Sequence, residues 1–163
     1  MLGSVGITRV VNGPIPYAPD GLPLIGQMPG VKNAFEACVF TFGIVQGGGA
    51  GKLLADIIVE GEPETDSWAV DPRRYTNHVD LEYTKAKAIE TYSHEYAMHF
   101  PQIQWPAGRP AKVSPIYDSL LKAGAVMGSY GGWERADWFT NNESLKKPAN
   151  SYDRQHWFDD VSK

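Results

Sequence analysis

Gly43-Ile44-Val45-Gln46-Gly47-Gly48-Gly49-Ala50-Gly51 runs into Lys52-Leu53-Leu54-Ala55-Asp56-Ile57-Ile58, and the reading of this stretch decides the fold. Leu53, Leu54, Ile57 and Ile58 recur at helical spacing, so the glycines stand at the start of an amphipathic helix. Upstream, Asn33 to Phe42 (NAFEACVFTF) is a nearly continuous apolar run, which predicts a strand covered on both faces. Strand, glycine turn and helix in that order make an α/β (α+β) fold the expectation. Glycines let backbone N–H groups come close to a ligand, and the positive end of the helix favours an anionic or electron-accepting group by about 0.3–1 kcal/mol. A helix-packing glycine cluster or a flexible loop would look the same, and the residues alone leave these alternatives open.

Outward from this core, Ile7 to Val11 reads as a short apolar element, and Leu22 to Gly26 as a short strand followed by a turn over Gln27 to Lys32. Gly61 and Pro63 stop the glycine-led helix, and residues 62 to 78 read as a linker. The pattern predicts a second helix from Val79 to Phe100, ended by Pro101, with Leu81, Ala88, Ile89, Tyr92 and Tyr96 as its apolar stripe. A third, at Pro115 to Ala123, has Ser114 as N-cap and Gly124 as its stop. Ala125–Gly128 and Glu134–Phe139 form a hairpin around Tyr130-Gly131-Gly132, and the polar stretch from Asn141 to Asn150 is a loop. Breaks near residues 62 and 110 are the candidate domain boundaries.

Twelve prolines and seventeen glycines in 163 residues force short elements separated by long loops. A net charge of -4 with scattered Lys and Arg gives no footprint for nucleic acid. No apolar run reaches the roughly 20 residues that span a bilayer, and the first residues lack the pattern of a signal peptide. Cys38 is the only cysteine, so no intramolecular disulfide or thiolate metal cluster is expected. A soluble, intracellular protein fits these features.

Most motifs fail on spacing. Gly51-Lys52 is no P-loop, because Gln46 stands at the earlier glycine and Leu53 at the hydroxyl. His94 and His99 lie five residues apart, which on a helix puts them on different faces, so no metal site is expected. His78 and His156 have no ligand-spaced neighbours, and no catalytic acid, base or nucleophile stands out. Trp105, Trp133, Trp138 and Trp157 are core or pocket-lining candidates.

Asn12-Gly13-Pro14, Pro19-Asp20-Gly21-Leu22-Pro23-Leu24-Ile25-Gly26, Ala37-Cys38, Phe42-Gly43-Ile44 and Gly48-Gly49-Ala50-Gly51-Lys52 together resemble the closing part of the FAD domain in the dimethylglycine and sarcosine dehydrogenase family. These are FAD-dependent amine oxidoreductases with an aminomethyltransferase-like C-terminal domain. The resemblance continues through Asp71-Pro72-Arg73-Arg74, Glu95 to Pro101 and Gly108-Arg109-Pro110, similar to the family's connecting domain. Ser114 to Asp118, Gly131-Gly132-Trp133-Glu134-Arg135 and Arg154 to Phe158 resemble the opening of its folate-binding domain.

The resemblance implies three parts: residues 1–61 closing the FAD domain, 62–110 connecting, and 111–163 opening the aminomethyltransferase-like domain. It implies FAD, with the backbone of Gly43, Ile44, Val45, Gln46 and Gly47 beside the flavin's pyrimidine edge, and tetrahydrofolate as a further cofactor of the parent enzyme. The implied reaction is oxidative demethylation of a small N-methyl amine. The chain has no G-x-G-x-x-G dinucleotide fingerprint and resembles an internal fragment, so it is expected to need a missing FAD-domain half or a partner subunit and to be inactive alone. Val39 and Val45 stand where the family pattern has glycines. The rival reading is a non-catalytic module like the regulatory subunit of pyruvate dehydrogenase phosphatase, which shares this domain order. The proline-rich start and Trp133-Glu134-Arg135 lean towards bacterial N-methylamine or methylaminobutanoate oxidases.

Overall fold

Short elements and long loops are what the glycine and proline content demands, and the computed structural model of the chain has both. It describes residue 3, residues 5–155 and residues 157–162. Strands β1 (Leu24–Gln27) and β2 (Phe35–Cys38) precede helix α1 (Gly43–Glu60), then helices α2 (Leu81–Ser93) and α3 (Tyr117–Lys122), strands β3 (Ala125–Tyr130) and β4 (Trp133–Phe139), and a last turn of helix, α4 (Phe158–Val161). The mixed helix and strand content is the one expected. His156 lies outside the described residues.

The two sheets are separate antiparallel pairs, β1 with β2 and β3 with β4. The long, doubly covered strand expected over Asn33–Phe42 is corrected to four residues, and two of them, Phe35 and Ala37, are exposed. Its limits have a backbone cause: Asn33 at φ 59° and Val39 at φ 61° are both left-handed, and extended pairing cannot run through such residues. No regular element forms over Ile7–Val11, whose Ile7, Val10 and Val11 are exposed.

Helix α1 begins at Gly43, so the stretch expected as a glycine turn is itself helical; Gly61, at φ 86°, ends the helix as predicted. It lies against both β1 and β2, with Ala50 buried and Leu53, Leu54 and Ile57 half-buried. Helix α2 stops at Ser93 rather than Pro101. The cause is side-chain competition at its last turn: the Ser93 hydroxyl donates to the Glu90 carbonyl at 2.7 Å, and the His94 ring lies 2.8 Å from the same oxygen. Its expected apolar stripe faces solvent at Leu81, Ile89, Tyr92 and Tyr96, while Glu90 and Thr91 are the buried residues. Helix α3 starts later than predicted, at Tyr117, and Ser114 contributes its carbonyl, not its side chain. The hairpin forms as expected, with Gly131 (φ 57°) and Gly132 (φ 83°) making a two-residue turn.

Loops are held by charge more than by a core. Among the described residues Ala18, Ile25, Ala50, Ala125 and Trp138, with Pro19, Pro23 and Pro72, are the buried apolar residues, against Asp71, Glu90, Thr91, Glu134, Thr140 and Gln155 among the polar ones. Arg74 donates to Asp20 at 2.7 and 3.1 Å and to the Leu22 carbonyl at 2.9 Å, and the Ile25 N–H reaches the Val70 carbonyl, so the stretch expected as a linker is fastened to β1. Arg109 forks onto Glu134 at 2.8 and 2.6 Å and reaches the Met127 carbonyl, bolting the loop before α3 to the hairpin. The accessible surface, 11813 Å², exceeds the roughly 8,000 Å² expected of a compact 18 kDa globule. Among the described residues no helix is long and apolar enough to cross a membrane.

Asp71 supports the turn Pro72–Arg74 by accepting from the Arg73 N–H at 2.8 Å and from the Arg73 guanidinium at 2.6 Å. The Arg73 guanidinium holds its carboxyl below the usual carboxylate range, against the opposing effect of burial. A depressed carboxylate stabilises the fold above its unfolded pKa of about 4, and that contribution fades as pH falls through the folded value. Asp71→Asn should therefore cost about 1 kcal/mol at pH 7, with the two proteins' melting curves converging towards pH 3. Thermal denaturation across that range checks it.

Candidate functional site

The start of α1 is built from backbone. Phe42 occupies the N-cap without a side-chain hydrogen bond, and the Gln46 N–H closes the first turn onto the Phe42 carbonyl at 3.0 Å. Gly43, Ile44 and Val45 thus carry the N–H groups that a helix cannot satisfy internally. Gln46 and Gly47, grouped with them from the sequence, sit inside the helix, with the Gln46 N–H already spoken for. No acidic side chain lies in the first turn to offset the positive end of the helix. Ile44 is 101% and Val45 85% exposed, so both side chains stand clear of the chain. The Oε1 of half-buried Gln46 has no hydrogen-bond partner among the described residues.

Glycines further along the helix are not needed for packing within this chain. A Cβ added at Gly47, Gly48, Gly49 or Gly51 would meet nothing within 4 Å. Each glycine costs a helix about 0.8–1 kcal/mol relative to alanine, so four of them forgo roughly 3–4 kcal/mol. The stretch is therefore helical rather than a loop, and its glycines do not serve packing within this chain. What such a face permits is close approach by something other than residues 1–163.

Val39 lies just before this helix start, at φ 61°. A branched side chain is strained in the left-handed region, where glycine is free.

The remaining sequence candidates fall elsewhere. His94 and His99 lie beyond the end of α2 and flank one indole: the His94 ring stacks on Trp105 at 4.7 Å and the His99 ring tilts over it at 5.7 Å. Trp138 and Trp157 stack at 6.1 Å, and Trp133 is half exposed at the hairpin turn. His78 and Trp105 come together with Trp68, Tyr75, Tyr83 and Lys87 around a cleft of about 480 Å³ that the sequence did not reveal. Its walls come from residues 19–22, 68–78, α2, Trp105 and the hairpin turn, too far apart in the chain for any spacing rule to unite them. Cys38 keeps its thiol near the Glu36 carboxylate at 3.4 Å, and burial, with that carboxylate, pushes its pKa up.

Comparison with known proteins bears on the same segments. Residues 60–114 match the family model of the FAD dependent oxidoreductase central domain. The chain is 40% identical over 162 residues to mitochondrial dimethylglycine dehydrogenase of Mus musculus, covering 99% of this chain and 18% of that protein. It is 36% identical over 163 residues to 4-methylaminobutanoate oxidase (formaldehyde-forming) of Paenarthrobacter nicotinovorans (99% and 20%). Against mitochondrial sarcosine dehydrogenase of Mus musculus the identity is 36% over 151 residues (90% and 16%). The mitochondrial regulatory subunit of pyruvate dehydrogenase phosphatase from Mus musculus matches at 30%. The chain spans about a fifth of the length of these relatives.

Replacing Val39 by glycine relieves the left-handed strain, about 1–2 kcal/mol for a branched residue, and gives back roughly 0.5–1 kcal/mol in chain entropy. Val39→Gly should thus raise stability by about 0.5–1 kcal/mol, read as a higher melting temperature. An unchanged or lower one means that the conformation at residue 39 carries no strain.

Proposed function

We propose that this chain, whose homologues are dimethylglycine and sarcosine dehydrogenases, forms the flavin-edge wall of an FAD-dependent enzyme that oxidatively demethylates small N-methyl amines. One observation carries the reading: an unsatisfied, uncapped helix start at Gly43–Val45 stands before a glycine face with open space around it. FAD, when bound, supplies the hydride acceptor for the N-methyl carbon. The chain's own part is electrostatic and steric.

Its residues fit such a group. The N–H groups of Gly43, Ile44 and Val45 would hold negative charge at the pyrimidine edge, with the unopposed end of the helix adding to them. The unpartnered Gln46 Oε1 offers an acceptor for a ring N–H. Exposed Ile44 would shield that edge from water, strengthening each of these interactions. The dinucleotide fingerprint is absent from these residues, so in this reading the pyrophosphate is held by another segment or subunit.

The same proposal takes residues 111–163 as the opening of a folate-binding domain, with tetrahydrofolate accepting the one-carbon unit, and places the protein in a mitochondrial matrix or a bacterial cytoplasm. The named relatives, mitochondrial and bacterial, support that placement.

A segment exchange tests the reading. The purified chain alone should be colourless and inactive. Mouse dimethylglycine dehydrogenase carrying residues 1–163 in place of its matching segment should hold FAD and oxidise dimethylglycine; a folded but flavin-free chimera counts against it. Within that chimera Val45→Gly should tighten FAD or raise its reduction potential, because a smaller residue brings the N–H groups nearer to the ring. Unchanged affinity together with an unchanged potential would place residue 45 away from the flavin.

A further inference from the structure

An asparagine followed by glycine carries chemistry of its own, because glycine has no Cβ to crowd its backbone nitrogen when that nitrogen turns back on the asparagine side chain. Asparagine stands at positions 12, 33, 77, 141, 142 and 150, and Asn12 is the one that precedes a glycine. Residues 5–18 belong to no helix or strand, and Asn12 and Gly13 are both exposed. Among the described residues neither the Asn12 side chain nor the Gly13 N–H has a hydrogen-bond partner. A Cβ at Gly13 would meet nothing within 4 Å. Nucleophile and carbonyl carbon are therefore neighbours in the chain, unhindered, and free to turn towards each other.

Asp20-Gly21 supplies the contrast, since an aspartate before glycine can close the same ring, yet here both reacting groups are held. The Gly21 N–H donates to the Ala18 carbonyl at 3.0 Å. The Asp20 carboxylate accepts from Arg74 at 2.7 and 3.1 Å and from the Leu22 N–H at 3.0 Å. Gly21 is fixed at φ 75° with the Thr91 methyl against it, 2.8 Å from where a Cβ would stand. Other asparagines are held as well: Asn142 Oδ1 accepts from the Ser144 N–H at 3.0 Å, and the Ser151 N–H, next to Asn150, donates to the Ala149 carbonyl at 2.9 Å.

We propose that Asn12-Gly13 is a site of spontaneous covalent modification, at which the Gly13 nitrogen closes a succinimide on Asn12 and water opens it to aspartate and isoaspartate. The Gly13 N–H gives its proton to solvent base, the nitrogen bonds to Asn12 Cγ, and the Cγ–Nδ2 bond breaks, its nitrogen leaving as ammonia. Water then adds to one of the two ring carbonyls. Opening at Cγ gives an ordinary aspartate; opening at the main-chain carbonyl leads the backbone through Cβ and Cγ and lengthens it by one carbon. Water is the co-reactant, and nothing is oxidised or reduced. Either product puts a carboxylate among the exposed Val10, Val11 and Ile15. Burial of this arm against an apolar surface would then require desolvating a charge, so the reaction disfavours docking of a chain that has stood uncovered.

The test incubates the folded whole chain in neutral buffer and follows tryptic peptide 10–32 by mass spectrometry, with fragmentation to locate isoaspartate at residue 12 or 20. Asn12 should convert about tenfold faster than Asn150, the ratio given by a barrier lower by about 1.4 kcal/mol. Gly13→Ala, whose methyl group meets no other residue, should slow conversion about tenfold in a chain that circular dichroism shows to be folded. The rate should rise with pH, because the attacking nitrogen must lose its proton. Asp20 should stay unchanged in the folded chain and begin to isomerise in urea, where Arg74 no longer holds it. Conversion at Asn12 no faster than at Asn150, an unchanged rate in folded Gly13→Ala, or isoaspartate forming as fast at Asp20 as at Asn12 in the folded chain would each overturn the proposal. These readouts need no flavin and no turnover, so they stand or fall independently of the demethylase reading.

Discussion

The Arg74 guanidinium, 8% exposed, is the tie on which the arrangement of the chain depends. It joins the Asp20–Leu22 approach to β1 with the Asp71 turn and forms the floor of the aromatic cleft. A planar fork with five donors can satisfy a carboxylate and two carbonyls together, which a lysine cannot. Burial lowers the pKa of such a group, yet here the Asp20 carboxylate more than offsets it and the guanidinium stays charged. Removing Asp20 would leave the buried guanidinium without its carboxylate, a loss below the roughly 3–5 kcal/mol of fully buried pairs because Asp20 is itself exposed.

Two further carboxylates repeat the device. Glu90 takes the Ala107 N–H at 2.8 Å and the Lys87 ammonium, and Glu134 takes Arg109. Each lies on a regular element and grips a loop. Loop backbone has no ladder of its own, so a buried carboxylate that accepts N–H groups does for it what pairing does for a strand. The arrangement explains how a chain with few buried apolar side chains holds a defined shape.

Local rules are broken at one place above all. Within thirteen residues a valine is left-handed, a helix starts without a cap, and four of its glycines face empty space. Propensity, capping and backbone preference each oppose such a design. Concentrated violations of this kind are expected where a chain is shaped for a ligand rather than for its own stability.

Several features were legible in the sequence because they depend on near neighbours. The two-glycine turn and its strands, the α1 stripe at Leu53, Leu54 and Ile57, and the stop at Gly61 follow from backbone freedom and period alone. So does the segment that matters for the proposed cofactor, since an amphipathic pattern behind glycines marks a helix start wherever it folds. The exact first residue was not legible, because glycine runs suit turn and helix alike until the carbonyl of Phe42 finds the N–H of Gln46. Nor was the short length of β2, which two left-handed residues impose. Helix α2 shows the difference most plainly. Its spacing predicts a buried apolar stripe, yet Glu90 and Thr91 are buried instead, because a carboxylate and a hydroxyl satisfy the Ala107 N–H and the Pro19 carbonyl, which the hydrocarbon side chains of Leu81 and Ile89 cannot. Periodicity records which side chains share a face; which face turns inward is decided by distant groups that need hydrogen bonds, and only the tertiary structure brings those together.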